Sequence, residues 1–193
     1  MGKKAEATEA RIREAAVEEL RERGFAGFSV DSVAERSRAN KALIYRYIGD
    51  RNQVIEESFR QLLRVRIQTQ AEQPKDLAAG MAHWIEANRS DTDFFRLLAE
   101  EASLGAPAIL AGERSAYYRS QVEQLAQTRP SDDPEMTFAA LLALTVFPSV
   151  LPQIFRLIAD PNDELSEQVL LERYATACAN LVRRAASSGG SAQ

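Results

Sequence analysis

Apolar residues recur at every third or fourth position along most of the chain, which is the spacing that places them on one face of an α-helix. The 9 glycines and 7 prolines fall mostly between the apolar segments, where they end one element before the next begins. The sequence therefore predicts an all-α fold.

The first fifty residues predict three helices. The first covers 8–23 and ends at Gly24, a residue that often follows the last turn of a helix. Ser29 and Asn40 are residue types that cap helix N-termini, and they predict two short helices, the first of which ends by Ser37. Two short helices joined by a three-residue turn form a helix-turn-helix.

Six further helices are predicted after Gly49 and Asp50. Asp91 is expected as an N-cap, and Pro107 and Pro134 as first helical residues. The predicted ranges are 51–71, 75–89, 92–103, 107–127, 134–158 and 163–186. The remaining residues, 187–193, are rich in serine and glycine and predict a flexible tail.

The stretch 136–155 carries no charge and approaches the length of a membrane span. Pro148 and Pro152 lie in it and are expected to kink the helix, and the other predicted helices are heavily charged. A membrane anchor is one interpretation of this stretch. The other is a helix buried on all sides, against its own domain and against a partner subunit, which suits a dimer interface.

Charge is distributed unevenly along the chain. The whole sequence has 24 basic and 28 acidic residues, net −4, but residues 1–66 contain 14 basic and 11 acidic, net +3, which leaves net −7 for the rest. Residues 36–51 contain five basic residues against Asp50 alone, net +4. This basic cluster coincides with the helix-turn-helix, and it is either a solvated helix face or a surface that faces phosphates.

Composition limits the kinds of metal-binding and catalytic sites that the chain is expected to form. His83 and Cys178 are the single histidine and cysteine, so no disulfide framework or Cys/His metal site is expected, and we expect no cofactor. Enzyme chemistry is disfavoured, because no nucleophile adjoins a histidine and no phosphate-binding loop is present. Residues 1–16 are charged throughout and predict no signal peptide, so a cytoplasmic protein is expected.

The amino-terminal quarter resembles the TetR-type transcriptional repressors. The matching positions begin at Arg11 and Ile12, continue through Gly24-Phe25, Phe28-Ser29-Val30 and Val33-Ala34-Glu35-Arg36, and end with the run from Asn40 to Ile48 and with Arg51 near Val54. The resemblance implies a homodimer with a helix-turn-helix DNA-binding domain at 1–50 and a ligand-binding and dimerisation domain at 51–186. The last two helices of each subunit would form the dimer interface. One departure is Arg38, which stands where the family usually has a turn glycine.

The resemblance also implies which residues touch DNA. Lys41 would reach a base edge, Ala42 and Leu43 would meet thymine methyl groups, and Arg46 could serve base or backbone. Phosphate contacts are expected from residues around this helix, although the tyrosine rings could instead pack between helices. The complete set of expected DNA-binding residues is Ser29, Arg38, Asn40, Lys41, Ala42, Leu43, Tyr45, Arg46, Tyr47 and Arg51.

Candidate ligand-binding residues lie in the later helices, where aromatic residues are more often core than pocket. His83 is a polar anchor or an exposed histidine, and Arg96 holds a carboxylate or lies on a solvated face. The candidates are His83, Trp84, Phe94, Arg96, Tyr117, Tyr118 and Phe147.

We therefore expect a homodimeric repressor that binds double-stranded operator DNA and is released from a palindromic operator by a small-molecule effector. The alternative is a helical small-molecule-binding protein that has lost operator binding.

Overall fold

The all-α prediction is confirmed by the computed structural model, which describes residues 3–69, 76–105, 107–128 and 133–188. These residues contain no strand and form ten helices. In chain order, the helices are α1 (Lys3–Gly27), α2 (Val30–Ser37), α3 (Lys41–Tyr47), α4 (Arg51–Thr69), α5 (Leu77–Ser90), α6 (Thr92–Leu104), α7 (Ala111–Thr128), α8 (Pro134–Val150), α9 (Pro152–Ala159) and α10 (Glu167–Ser188).

The chain divides into two compact units. The first unit contains Met1–Gln68 and Arg96–Arg114, and the second contains Thr69–Phe95 and Ser115–Gln193. The functional boundary expected after residue 50 stays a prediction. The expected helix ends at Ala71 and Lys75, and residues 189–193 of the expected tail, lie outside the described residues, whereas Ser187 and Ser188 extend α10 instead of beginning the tail.

The core of the first unit is formed by the apolar stripes that the sequence predicts. Ile12 and Leu20 of α1, Val33 of α2 and Ile44 of α3 are fully buried, and Phe59 of α4 is buried beside Phe25. Burial of these side chains fixes α2 and α3, which have 8 and 7 residues and are too short to be stable alone. The two expected N-caps are confirmed, since Ser29 Oγ accepts from Ser32 N at 3.4 Å and Asn40 Oδ1 accepts from Leu43 N at 2.9 Å.

The core of the second unit joins α5 to α10. Met81 and Ile85 of α5 pack with Ala175, Cys178 and Ala179 of α10, and Trp84, Leu141 and Leu144 pack against this cluster. Cys178 is buried, and burial raises the pKa of its thiol. Cys178 is thus a small packing residue in this cluster.

The prediction of a single helix over 134–158 is wrong. The chain bends by 91° at Leu151, which separates α8 from α9. Pro152 cannot donate a backbone hydrogen bond to the preceding turn, so α8 ends there and α9 begins with this proline as a first helical residue. Among the described residues no single helix is long and apolar enough to cross a membrane, and this bent pair meets the length and composition test only when its two parts are joined.

Three predicted helix starts are also wrong. The helix expected over 8–23 begins at Lys3 and continues past the break at Gly24 to Gly27. The helix expected from Pro107 begins at Ala111, because Ile109 and Leu110 form a turn and Leu110 has a φ of 54°. The Glu101 carboxylate accepts from Ile109 N at 2.6 Å and holds this turn. The helix expected from residue 163 begins at Glu167, since Asp163 has a φ of 57°.

Candidate nucleic-acid interface

The turn between α2 and α3 keeps the shape that a glycine would give it. Arg38 lies in the left-handed region, with φ 52° and ψ 37°. Its N–H donates to Glu35 O at 3.2 Å, and the N–H of Ala39 donates to Ala34 O at 3.0 Å, which is the hydrogen-bond pattern of a Schellman motif. Arg38 therefore accepts a strain of about 1 kcal/mol, and its departure from glycine leaves the helix-turn-helix geometry intact.

One face of α3 is buried and the other is open to solvent. Ile44 is fully buried, while Lys41, Ala42, Tyr45 and Arg46 are exposed. Leu43 and Tyr47 are half-buried at the edges of this face. Because Ile44 fixes the rotation of α3 about its axis, the helix presents its basic and phenolic side chains to solvent.

Arg46 and Tyr47 form a pair on the exposed side of α3. The Arg46 guanidinium lies 4.9 Å from the centre of the Tyr47 ring, and Arg46 Nη2 donates to Tyr47 Oη at 3.0 Å. The stacked arrangement leaves the guanidinium charge at the surface. It also orients the phenol, so the two residues act as one donor group.

Lys41, the first residue of α3, forms an ion pair with Asp31 of α2. The hydrogen bond to this carboxylate is the main cause that raises the pKa of Lys41, and both side chains are exposed. Asp31 lies next to the N-terminus of α2, where its charge is also favourable for the helix dipole. The carboxylate therefore competes with any nucleic acid for the ammonium of Lys41.

Arg51 and Ser29, which were expected at phosphates, have intramolecular partners. The Arg51 guanidinium donates to Phe25 O at 3.0 Å and to Phe28 O at 3.1 Å, and Ser29 caps α2. Asn40 likewise uses its side-chain oxygen to cap α3. These bonds position the helix-turn-helix, and contact of the three residues with DNA stays a prediction.

Arg36 is part of the basic cluster in the sequence, but its charge is already neutralised. Its guanidinium donates to Glu22 at 2.6 Å and to Glu18 at 3.4 Å, and these carboxylates belong to α1. The pair with Arg36 holds the pKa of Glu22 below its usual value. The positive surface is thus narrower than the count of net +4 over 16 residues indicates.

Three residues near the interface were missed as functional candidates: Asp31, Glu22 and Glu100. Glu100 of α6 accepts hydrogen bonds from the backbone of Phe25 and Ala26. Its separation of about 75 positions from these amides gives no local signal in the sequence. Asp31 precedes the basic cluster at 36–51, and a count of charges along the sequence is the one signal that could have pointed to it as a partner for that cluster.

The candidate ligand-binding residues do not form one group. Tyr117 and Tyr118 have ring centres 5.4 Å apart, whereas Phe147 lies in a separate aromatic group with Phe155 and Tyr174. Trp84 packs against the core of the second unit, His83 is exposed and Phe94 is fully buried. Arg96 belongs to the first unit, where its guanidinium donates to Arg21 O at the end of α1.

Comparison with known proteins agrees with this geometry. Residues 12–57 match the family of bacterial regulatory proteins described as the tetR family. The HTH-type transcriptional repressor SCO4008 of Streptomyces coelicolor is 30% identical over 168 residues, which cover 82% of this chain and 86% of that protein.

Two solved structures have the same fold. SCO4942 of Streptomyces coelicolor has a TM-score of 0.73 at 20% identity, over 90% of this chain and 97% of that one. The transcriptional regulator SCO7222, a TetR from the same organism, has a TM-score of 0.54 at 20% identity, over 90% of this chain and 86% of that one. The family match over residues 12–57 and the sequence relative together establish that the chain belongs to the TetR family of bacterial transcriptional regulators.

Proposed function

We propose that this regulator is a homodimeric repressor that binds a palindromic operator and is released from it by a small-molecule effector. The observation that carries the proposal is the exposed face of α3, which presents Lys41, Tyr45 and the Arg46–Tyr47 pair around a glycine-like turn. A recognition helix enters the major groove with such a face, and its first residues meet base edges.

The expected DNA contacts divide into two kinds. Lys41 would donate to guanine after it leaves Asp31, and Ala42 and Leu43 would contact thymine methyl groups. Tyr45 and the Arg46–Tyr47 pair would bind phosphates, which position the protein without reading sequence. Arg38 would add a phosphate contact at the turn, and Ser29, Asn40 and Arg51 would do so from positions fixed by their intramolecular bonds.

Subunit contacts are proposed for the last helices. Exposed apolar side chains on α8, α9 and α10 support this assignment, because large apolar groups left open to water favour association. They include Met136, Leu157, Ile158, Val169 and Leu181. Two protomers related by a two-fold axis would place two α3 helices in successive major grooves.

The effector would bind within the second unit. Trp84, Tyr117, Tyr118 and Phe147 offer apolar and aromatic surface, and His83 offers a polar contact at the surface. Phe94 completes the proposed set in this unit, whereas Arg96, the remaining candidate, lies in the first unit. Release of the operator requires the effector to bind the two DNA-binding states with different affinity, and this difference limits the response.

Selection of bound duplexes from random DNA tests the proposal directly. We expect a palindromic sequence to be enriched, and we expect Lys41→Ala to weaken its binding by about 1–3 kcal/mol in fluorescence anisotropy. Arg119→Ala, which removes an exposed cation from α7, is the matched control and should change affinity little. A metabolite panel added to the complex then searches for the effector.

Absence of any enriched sequence would support the alternative, a ligand-binding protein without operator recognition. For the subunit contacts, Leu181→Glu should convert dimers to monomers in sedimentation velocity, and Leu181→Ala should do so less. Dimers that persist with the glutamate would contradict the proposed interface.

A further inference from the structure

The last turn of α1, which follows the break at Gly24 and leads into α2, is held by a carboxylate from α6. Glu100 Oε2 accepts from Phe25 N at 3.0 Å, and Glu100 Oε1 accepts from Ala26 N at 2.9 Å. One side chain therefore binds two consecutive backbone amides. Hydrogen bonds to an ionised acceptor are stronger than neutral ones, and two of them in parallel also fix direction.

Gly24 allows the carboxylate to come this close. Its φ is 69° and its ψ is −171°, so the backbone of α1 departs from helical geometry there. A Cβ atom at this position would lie 2.1 Å from Glu100 Oε2, closer than any real contact. The glycine is thus required for backbone conformation and for the space that Glu100 occupies.

Carbonyl groups on both sides of Gly24 are bound by cations. Arg51 of α4 donates to the carbonyl oxygens of Phe25 and Phe28, and Arg96 of α6 donates to that of Arg21. The Phe25 ring packs against Phe59 with 5.5 Å between centres. The backbone amides after Gly24 thus bind a carboxylate, and neighbouring carbonyl groups bind guanidinium groups. The end of α1 therefore has little conformational freedom just before α2 begins.

We propose that Glu100 is a positioning residue for DNA recognition. By holding the amides of Phe25 and Ala26, it fixes the start of α2, and α2 with its Schellman turn carries α3. Loss of the carboxylate would let the recognition helix move against α4, which costs base readout more than it costs phosphate binding. The inference rests on the proposed operator binding for its functional part, whereas the amide contacts can be tested without DNA.

Glu100→Gln tests the contact, because it keeps the size of the side chain and replaces one acceptor oxygen by an NH₂ group that faces a backbone N–H. Glu123→Gln on α7 makes the same change of charge at an exposed position and is the control. Site-resolved hydrogen exchange measures the exchange rates of the Phe25 and Ala26 amides. Fluorescence anisotropy measures affinity for the selected duplex and for a scrambled duplex of equal composition.

We expect exchange at Phe25 and Ala26 to become about tenfold faster in Glu100→Gln and to stay unchanged in the control. Affinity for the selected duplex should fall about tenfold, with binding of the scrambled duplex nearly constant. Unchanged exchange would overturn the amide contact. Faster exchange with unchanged affinity for the selected duplex, or an equal loss on both duplexes, would overturn the positioning role.

Two further results keep the inference decidable. If Glu100→Gln does not fold, protection of the two amides in the unmodified protein decides the contact, and exchange at random-coil rates would refute it. If the unmodified chain selects no duplex, the proposed function fails together with the positioning role. That failure is recognised because it appears without any substitution, while the exchange measurement still reports on the amide contact.

Discussion

The hydroxyl of Tyr174 donates a 2.7 Å hydrogen bond to the carbonyl oxygen of Leu144. In a regular helix this carbonyl would accept from the N–H four residues later, but residue 148 of α8 is a proline and has none. Tyr174 of α10 therefore supplies the donor that Pro148 removes. The bond satisfies the carbonyl and ties α10 to α8 within the second unit.

Tyr174→Phe should lower the free energy of unfolding by about 1–2 kcal/mol, because the Leu144 carbonyl loses its donor. With Pro148→Ala in the background, the helix regains an N–H at position 148 and the same substitution should cost clearly less. Chemical denaturation of the four proteins in this double-mutant cycle measures the difference. Equal costs in both backgrounds would contradict the compensation, and Tyr118→Phe on α7 controls for loss of a hydroxyl.

The stability of the second unit should fall at alkaline pH. Burial, and secondarily Cys178, raises the pKa of Tyr174 well above its ordinary value of 10.0. The Tyr174 hydroxyl thus ionises at higher pH in the folded protein than in the unfolded chain. Its contribution to the free energy of unfolding is therefore complete below the unfolded pKa and is lost as pH rises through the folded pKa. Chemical denaturation from pH 8 to about 11 should show this loss. Tyr174→Phe should reduce the slope of the free energy of unfolding against pH. An unchanged slope would show that other groups cause the loss.

Arg38→Gly should increase the free energy of unfolding by about 1 kcal/mol, because glycine adopts the left-handed region without the strain of a Cβ atom. Arg38→Ala controls for loss of the guanidinium and should be less stable than the glycine variant. If Arg38 contacts a phosphate, both variants should also reduce the salt dependence of DNA binding by about one unit of slope. Equal stability of the two variants would contradict the strain.

Asp31→Asn should strengthen DNA binding about two- to fivefold, since it releases Lys41 and removes a negative charge beside the proposed interface. Glu35→Gln makes the same change of charge on α2 at an exposed position without this ion pair. Anisotropy titrations should show a larger gain for Asp31→Asn than for Glu35→Gln. Equal gains in DNA affinity for the two variants would show that net charge, and not release of Lys41, causes the effect. In a Lys41→Ala background, the larger gain of Asp31→Asn should shrink.

Arg36→Gln should lower the free energy of unfolding, because Glu19 is 1% exposed and Arg36 Nη2, at 3.6 Å from its Oε2, is the cation that pairs with this buried carboxylate. No hydrogen bond to a described residue reaches that oxygen. In a Glu19→Gln background the loss should be smaller. The lowered pKa of Glu22 adds a contribution present above its unfolded pKa and lost as pH falls, so acid unfolding should be shallower without Arg36.

The helix-turn-helix was predictable because its determinants are local. Ser29 and Asn40 cap their helices through amides three residues away, and Ile44 is buried as the helical spacing requires. Such bonds act within one turn, so residue type and spacing indicate them. Family resemblance added the expected role of α3, which no local rule contains.

The bend at Leu151 shows the limit of periodicity. Pro148 and Pro152 predict a distortion, and apolar spacing continues across both, so the sequence favours one kinked helix over two. Pro148 is accommodated inside α8 since Tyr174 satisfies the freed carbonyl, whereas α8 ends before Pro152. Which proline ends the helix depends on a donor 30 positions away.

By itself, the sequence determined the helical class, the caps and the basic character of α3, because these follow from contacts within a few residues. Tertiary structure alone decided which charges remain available, since Lys41 meets Asp31, Arg36 meets Glu22, and Glu100 meets the amides of Phe25 and Ala26. The physical reason is that electrostatic pairing and hydrogen bonding depend on distance in space, and only packing of the helices brings these distant positions together.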